Sequence, residues 1–323
     1  VKTEVSTDPR RAVELLRQGE IVALPTETVY GLAADAFNPI AVAQIFEAKE
    51  RPRFDPLIIH LPDFEWFERV VDLSTQDRQL LLALTHKFWP GPFTLVLPKQ
   101  AAVSDIVTAG LPTVAVRMSG HPLLMEIVRA IGPLAAPSAN RFGRMSPTTA
   151  QHVLDELDGR IPLVLDGGPT EHGIESTIVR VSSGKIDILR RGPITEQQLE
   201  KFGDVRVAQG EKISAPGQMA SHYAPKKPLT LIDDAAEFPN ERAGLLAWNP
   251  VDGKHFAAVR QLSAKQDLRE AAANLFGYLR ELDANDDVDL IVAERVPHHG
   301  LGAAIMDRLT RAAHRSDAPL PPR

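Results

Sequence analysis

The stretch IVALPTETVYGL, residues 21–32, decides how its neighbours are read. Ile21, Val22, Ala23 and Leu24 make an apolar run short enough for a buried strand, and Pro25 ends it. Two threonines, a glutamate and a tyrosine then precede Gly31, a polar turn whose side chains reach a cleft and not a core. Taken alone, the turn reads equally well as a hydroxyl-rich cap. Upstream, Ala12, Val13, Leu15 and Leu16 predict a helix closed by Gly19. Downstream, Val42, Ile45, Phe46 and Lys49 predict a helix over residues 40–49, and residues 57–61 read as a strand between prolines. Residues 76–88 have helical spacing, 93–97 alternate like a strand, and 113–116 and 134–136 are short apolar runs ending at polar motifs. A helix over 150–157 precedes strand-like runs at 163–165, 177–181 and 186–189. The elements mix without the strand–helix–strand rhythm of a doubly wound fold. Residues 1–200 are therefore expected to form one α/β domain on a twisted mixed sheet.

Residues 201–227 change character: GEKISAPGQMASHYAPKKP holds turn formers with little apolar periodicity and reads as a linker. Residues 228–323 then predict a smaller Rossmann-like α/β domain, with strands at 229–232, 244–248, 256–259 and 290–293. Leu268, Ala271, Ala272, Leu275, Phe276, Leu279 and Leu282 share one helical face, with Ser263 and Gln266 placed as a capping box ahead of it. A closing helix covers 303–313, and PLPPR reads as a frayed tail.

Composition narrows the chemistry. A chain of 323 residues, 44% apolar and 24% charged, can bury two cores. The absence of cysteine excludes disulfides, thiolate zinc sites, iron–sulfur clusters and a cysteine nucleophile. A formal charge of -6 argues against a basic coat for nucleic acid, so any tRNA contact would be a local, weak patch. No apolar run approaches the roughly 20 residues of a membrane helix. The opening VKTEVSTDPRR lacks a signal-like apolar stretch, so a cytoplasmic protein without membrane contact is expected.

The remaining polar motifs also follow strands. KERPRFDPLIIH, residues 49–60, sets Lys49, Arg51 and Arg53 at a helix end, where they could neutralise a polyphosphate or simply complement the helix terminus. His60 ends the next strand. Arg117 ends an apolar strand, a costly position for a charge unless an anion waits there. Ser138 and Asn140 sit in a turn after residues 134–136, with Arg141 and Arg144 beyond. GIESTIVR, residues 173–180, offers Ser176 and Thr177, and Arg190 and Arg191 follow another strand. Hydroxyls and cations recurring at four strand ends describe a pocket for something anionic and polar. There is no GxxxxGK[ST], GxSxG or HExxH motif, and GLGAAI at 300–305 has isoleucine where a dinucleotide fingerprint needs a small residue. His298 and His299 are adjacent without a second ligand pair, so no metal site is expected.

PTETVYGL, the K-x-R pair Lys49 and Arg51, the strand ending at His60, the S-x-N pair Ser138 and Asn140, and GIESTIVR together resemble the YrdC-like threonylcarbamoyl-AMP synthases. The linker SAPGQMASHYAPK and the domain after it resemble the longer, two-domain branch of that family. The resemblance implies formation of threonylcarbamoyl-AMP and pyrophosphate from L-threonine, bicarbonate and ATP. The product would pass to a transferase that modifies tRNAs reading ANN codons. Thr28, His60, Arg117, the Ala136 backbone and Ser176 would hold threonine. Lys49, Arg51, Asp55, Thr113, Ser138, Asn140, Ser146 and Arg190 would surround ATP, with Lys49, Arg51, Ser138 and Asn140 closest to the chemistry. Tyr223 would reach over the nucleotide as part of a linker that acts as a lid, and Mg²⁺ would travel with ATP. Asp55 stands where the family commonly has asparagine, and a carboxylate there would repel phosphates unless Mg²⁺ or an arginine intervened. Two alternatives are an RNA-binding module using residues 49–53 and 141–144, and a hydrogenase-maturation carbamoyltransferase, whose cysteine zinc fingers this chain lacks.

Overall fold

The computed structural model describes residues 2–73, 76–208, 223–238 and 240–314. They divide into two compact units, one holding residues up to 142 and from 146 to 208, the other holding 143–145 and 223–314.

The first unit begins β1 (Glu4–Ser6), α1 (Pro9–Arg17), β2 (Val22–Leu24), β3 (Gly31–Asp35), α2 (Pro39–Lys49) and β4 (Ile58–His60). It continues α3 (Phe64–Val70), α4 (Arg78–Phe88), β5 (Phe93–Pro98), α5 (Asp105–Thr108), β6 (Thr113–Arg117), α6 (Pro122–Ile131) and β7 (Leu134–Ala135). Then come α7 (Ala150–Leu157), β8 (Leu163–Leu165), β9 (Thr177–Ser182), β10 (Lys185–Arg190), α8 (Glu196–Leu199) and β11 (Asp204–Val207). Asp8 and Asn38 cap α1 and α2 through side-chain oxygens, with Pro9 and Pro39 preset at the first helical positions. Glu50, left-handed at φ 54°, ends α2 and turns the chain sharply after Lys49.

The strands form one mixed sheet in the order β1-β8-β2-β3-β7-β4-β6-β5-β9-β10-β11. Its two faces can be read from alternating residues. Ala23, Ile59, Leu95, Val114, Val116 and Val179 face the larger core with Ile45, Phe67 and Phe93. Val22, Leu24, Leu134 and Ala136 lie on the other face, under Leu15 and Leu16 of α1 and Leu124, Ile127 and Val128 of α6. Farther along that second face, Ile58, Val96, Ala115, Ile178 and Leu189 make a small apolar patch. His60 and Arg117 follow Ile58 and Ala115, and Thr94 on the antiparallel β5 precedes Val96, each at a spacing of two, so the same face turns polar at the strand ends.

β3 and α6 were not expected. GLAAD is buried along nearly its whole length and therefore lacks the alternation that marks a half-exposed strand. Residues 204–207, expected in the linker, instead extend the sheet as β11, parallel to β10.

The second unit runs β12 (Leu229–Ile232), a 3₁₀ turn (Ala235–Glu237), β13 (Asn240–Ala247), β14 (Phe256–Gln261), α9 (Leu268–Ala284), β15 (Leu290–Glu294) and α10 (Leu301–Ala313). Its sheet is parallel throughout, ordered β12-β15-β13-β14. The cap of α9 differs from the expected Ser263–Gln266 box. Gln266 is left-handed at φ 55°, which adds a turn, and Asp267 caps the helix by accepting from Arg269 N and Glu270 N. Ser263 instead accepts from the Lys265 and Asp267 amides and bonds Glu270. Among the described residues no helix is long and apolar enough to cross a membrane.

Candidate active site

The turn between β2 and β3 is folded by its own hydroxyls. Thr26 Oγ1 donates to the Val29 carbonyl at 2.7 Å and accepts from the Thr28 and Val29 amides. Thr28 Oγ1 lies 2.8 Å from Thr26 Oγ1 and accepts from Arg117 Nη1 at 3.0 Å. Tyr30, expected in the cleft, goes into the core, and its hydroxyl donates to the Gly168 carbonyl at 2.7 Å. The turn after β7 is stitched to this one: Leu32 N donates to Pro137 O and Ala139 N to Tyr30 O, each at 2.8 Å. Gly31 permits that approach, because a Cβ there would sit 3.3 Å from the Ala136 Cβ.

Arg117 is the centre of one polar cluster. Its Nη2 meets Glu27 Oε1 at 2.7 Å and its Nε donates to the Gly91 carbonyl at 3.1 Å. Glu27 also accepts from Ser119 Oγ and, at 3.0 Å, from Gly120 N. Burial alone would raise its pKa, but the Arg117 charge and these donors more than offset burial and hold it at about 2. His60 stands beside Arg117 in register. Burial, with the Arg117 charge, lowers its pKa to about 3, so the ring is neutral. It hydrogen-bonds the Ala136 backbone, while Nδ1 is buried with no partner among the described residues. Thr94, opposite Arg117 on β5, places Oγ1 2.8 Å from Ser176 Oγ. Arg190 grips Ser176 twice, with Nη2 to Oγ at 3.0 Å and Nε to the carbonyl at 3.1 Å. Gly192 makes this possible, since a Cβ would come within 2.5 Å of Glu175 O and Thr177 N. Thr177 faces elsewhere and binds both backbone groups of Ile194.

Lys49 is the centre of a second cluster. The Nζ, fully buried, donates to the Ser138 and Asn140 carbonyls at 2.5 Å each. Burial and the Arg51 charge push its pKa well below the usual lysine value. Arg51 meets Asp55 at 2.8 Å and donates to the Asp55 and Pro56 carbonyls, so the unexpected carboxylate is answered by an arginine four residues away. The Arg190 charge also acts on Asp55, in the direction opposite to burial. Ser146 Oγ donates to Glu175, next to Ser176.

The first unit thus holds Thr28, Lys49, Arg51, Asp55, His60, Arg117, Ala136, Ser138, Asn140, Ser146, Ser176 and Arg190 in several small polar groups. Thr113 is half-buried at the opposite end of β6 from Arg117. Tyr223 belongs to the second unit, buried against Phe276 at 5.4 Å between ring centres and under Arg308. Of the expected lid, residues 201–227, positions 209–222 lie outside the described residues, and 204–207 form β11. Arg53 is exposed, whereas Arg141 and Arg191 are paired with Glu156 and Glu196. Those pairs remove part of the motive for an RNA-binding reading. Glu27, Thr94, Ser119 and Glu175 belong to the site but were missed. Glu27 had been noticed only as a polar turn residue, because its partner lies 90 positions away.

A sheet whose strand ends collect buried cations and hydroxyls in small groups defines an α/β protein suited to seating anionic, polar ligands. Residues 14–192 match the Sua5–YciO–YrdC family, described as Telomere recombination, and 194–314 match the Threonylcarbamoyl-AMP synthase C-terminal domain. The chain is 43% identical to the threonylcarbamoyl-AMP synthase of Bacillus subtilis strain 168, over 97% of this chain and 96% of that one. It is 38% identical to the Pyrococcus abyssi protein of the same name, over 94% and 93%. The crystal structure of P. abyssi Sua5 complexed with L-threonine is 36% identical, covers 96% of this chain and 98% of its own, and has a TM-score of 0.86. This chain belongs to the two-domain Sua5–YrdC family.

Proposed function

We propose that the chain is an L-threonylcarbamoyladenylate synthase, joining L-threonine, bicarbonate and ATP with release of pyrophosphate. The observation that carries this reading is the pair of buried cationic centres in one unit, Arg117 with its hydroxyls and Lys49 with Arg51. One suits a carboxylate and the other a polyphosphate.

Arg117 takes the threonine carboxylate, and Thr28, Ser176 and the Ala136 backbone line the same subsite. His60, neutral and with Nδ1 unpartnered among the described residues, offers an acceptor to the amine. Lys49, Arg51, Ser138 and Asn140 surround the phosphates, with Asp55, Ser146 and Arg190 nearby. Thr113 is four residues from Arg117 on the same face of β6, roughly 13 Å at strand rise. That span fits a ligand with an amino acid at one end and a nucleoside at the other. Tyr223 is assigned to the nucleotide, and the linker to a lid, on the HYAP motif alone. Mg²⁺ is assigned to ATP itself; among the described residues no group of three or more His, Asp or Glu is spaced to hold a metal.

The neutral threonine amine adds to carbon dioxide formed from bicarbonate, and the resulting carbamic acid releases its proton to solvent to leave the carbamate. A carbamate oxygen then attacks the α-phosphorus, the bond to the α–β bridging oxygen breaks, and pyrophosphate leaves with that oxygen. No enzyme nucleophile is required. The protein contributes orientation, charge neutralisation and a dry enclosure for the mixed anhydride. The adenylate then passes to a tRNA threonylcarbamoyl transferase. Incubation with ATP, threonine and labelled bicarbonate should give pyrophosphate and labelled threonylcarbamoyl-AMP, dependent on all three substrates. A folded preparation producing neither would overturn the reading.

A further inference from the structure

We infer that Glu27 is the positioning residue of the amino-acid subsite, fixing the plane of the Arg117 guanidinium so that its uncommitted N–H groups receive the substrate carboxylate. The inference rests on the reading that Arg117 takes that carboxylate.

A guanidinium has five N–H donors in a rigid fork. Three of them are engaged in the structure, by the Gly91 carbonyl, Thr28 Oγ1 and Glu27 Oε1. Two therefore remain among the described residues. Gly91 and Thr28 each hold one edge of the fork through a single neutral acceptor, whereas Glu27 supplies the only ionic contact recorded for Arg117 among the described residues. Glu27 is itself held: Oε1 also accepts from Gly120 N, Oε2 from Ser119 Oγ, and its backbone carbonyl accepts from His172 N at 2.9 Å. Every polar atom of the carboxylate is thus committed to orienting or being oriented.

A role confined to folding explains this poorly. A buried ion pair generally stabilises a fold no better than apolar residues of similar volume. Here the pair sits at the tip of β6, beside His60 Nδ1, which has no partner among the described residues, and the Thr94–Ser176 hydroxyl pair, where a ligand would be seated. Glu27 also neutralises the Arg117 charge, so the arginine is held by the protein itself.

The test compares threonine with threonine amide, which keeps the amine and side chain but lacks the carboxylate charge. Wild type, Glu27→Gln and Ser119→Ala are assayed for adenylate formation with both substrates; Glu27→Ala is avoided as the main probe because, unlike Gln, it leaves a cavity and no acceptor beside Arg117. Wild type should prefer threonine by roughly a hundredfold in kcat/KM. Glu27→Gln should reduce that preference about tenfold and Ser119→Ala about threefold, with KM for ATP unchanged. A preference identical to wild type in folded Glu27→Gln would overturn the inference, as would equal losses toward ATP and threonine. If wild type forms no threonylcarbamoyl-AMP at all, the failure lies with the proposed function and not with Glu27.

Discussion

Arg117 and Arg51 are both buried and both face a carboxylate, yet the two pairs are built on different plans. Glu27 reaches Arg117 from a turn 90 positions away and is held in place by Ser119 and Gly120. Its donors overcome burial, and it stays ionised down to about pH 2. Asp55 is a local partner, four residues from Arg51, and apart from that ion pair at 2.8 Å its carboxylate has no hydroxyl or backbone donor among the described residues. Burial there outweighs the charges of Arg51, Lys49 and Arg190, and the pKa of Asp55 is raised. The difference separates a preset end of the site from an adaptable one. The Arg117 end is braced by several neighbouring donors, whereas the Arg51 end holds its carboxylate through the ion pair alone.

The largest effect should come from breaking the preset end. Arg117→Ala should lower kcat/KM for threonine by about a thousandfold and lower stability by roughly 3–5 kcal/mol, since Glu27 is left buried and unpaired. Kinetics and urea titration check the two halves of that expectation. At the adaptable end, Arg51→Ala should raise KM for ATP roughly a hundredfold with a smaller stability loss, because its partner can take up a proton. A stability loss equal to that of Arg117→Ala would erase the distinction.

Acid titration sharpens the comparison further. Glu27 has a folded pKa below the ordinary 4.5, so its contribution is full above pH 4.5 and lost as pH falls toward about 2. His60 is also lowered, from 6.5 to about 3. The unfolded chain therefore binds its proton first, and stability falls as pH drops from 6.5 toward 3. Asp55 runs the other way: its raised pKa opposes folding at neutral pH and ceases to do so once it is protonated. Wild type should lose roughly 1.4 kcal/mol per pH unit within the His60 window, and His60→Gln should flatten the stretch between pH 6.5 and 4.5. Urea midpoints across that range are the measurement. The smallest effect belongs to Asp55→Asn, which should change KM for ATP by less than about threefold, since Arg51 already neutralises the carboxylate.

Strands with their ends at polar motifs were legible in the sequence wherever an apolar run met a proline or a charge, as at residues 21–24, 57–61 and 113–116. β3 was not, because burial on both faces removes periodicity. Lys49, Arg51, Arg117, Ser138 and Asn140 could be singled out because a charge or amide next to a core run is expensive without a purpose. Their partners could not. Glu27, Ser119 and Thr94 are ordinary residues until the sheet order sets β5 against β6 and the 25–30 turn beside Arg117, and local spacing carries no information about that order. Tyr30 misled for a related reason: a tyrosine in a polar turn can still send its ring inward when its hydroxyl finds a carbonyl there.

Gly192 gives the site a purely steric adjustment. A single methyl at that position would press on the peptide joining Glu175, Ser176 and Thr177, without removing a charge or a hydrogen-bonding group. Such a wedge would move the Ser176 hydroxyl away from Arg190 and Thr94 while every side chain named in the chemistry stayed intact. Spacing within the candidate site is therefore set partly by an atom that is missing, and it can be tuned by shape alone.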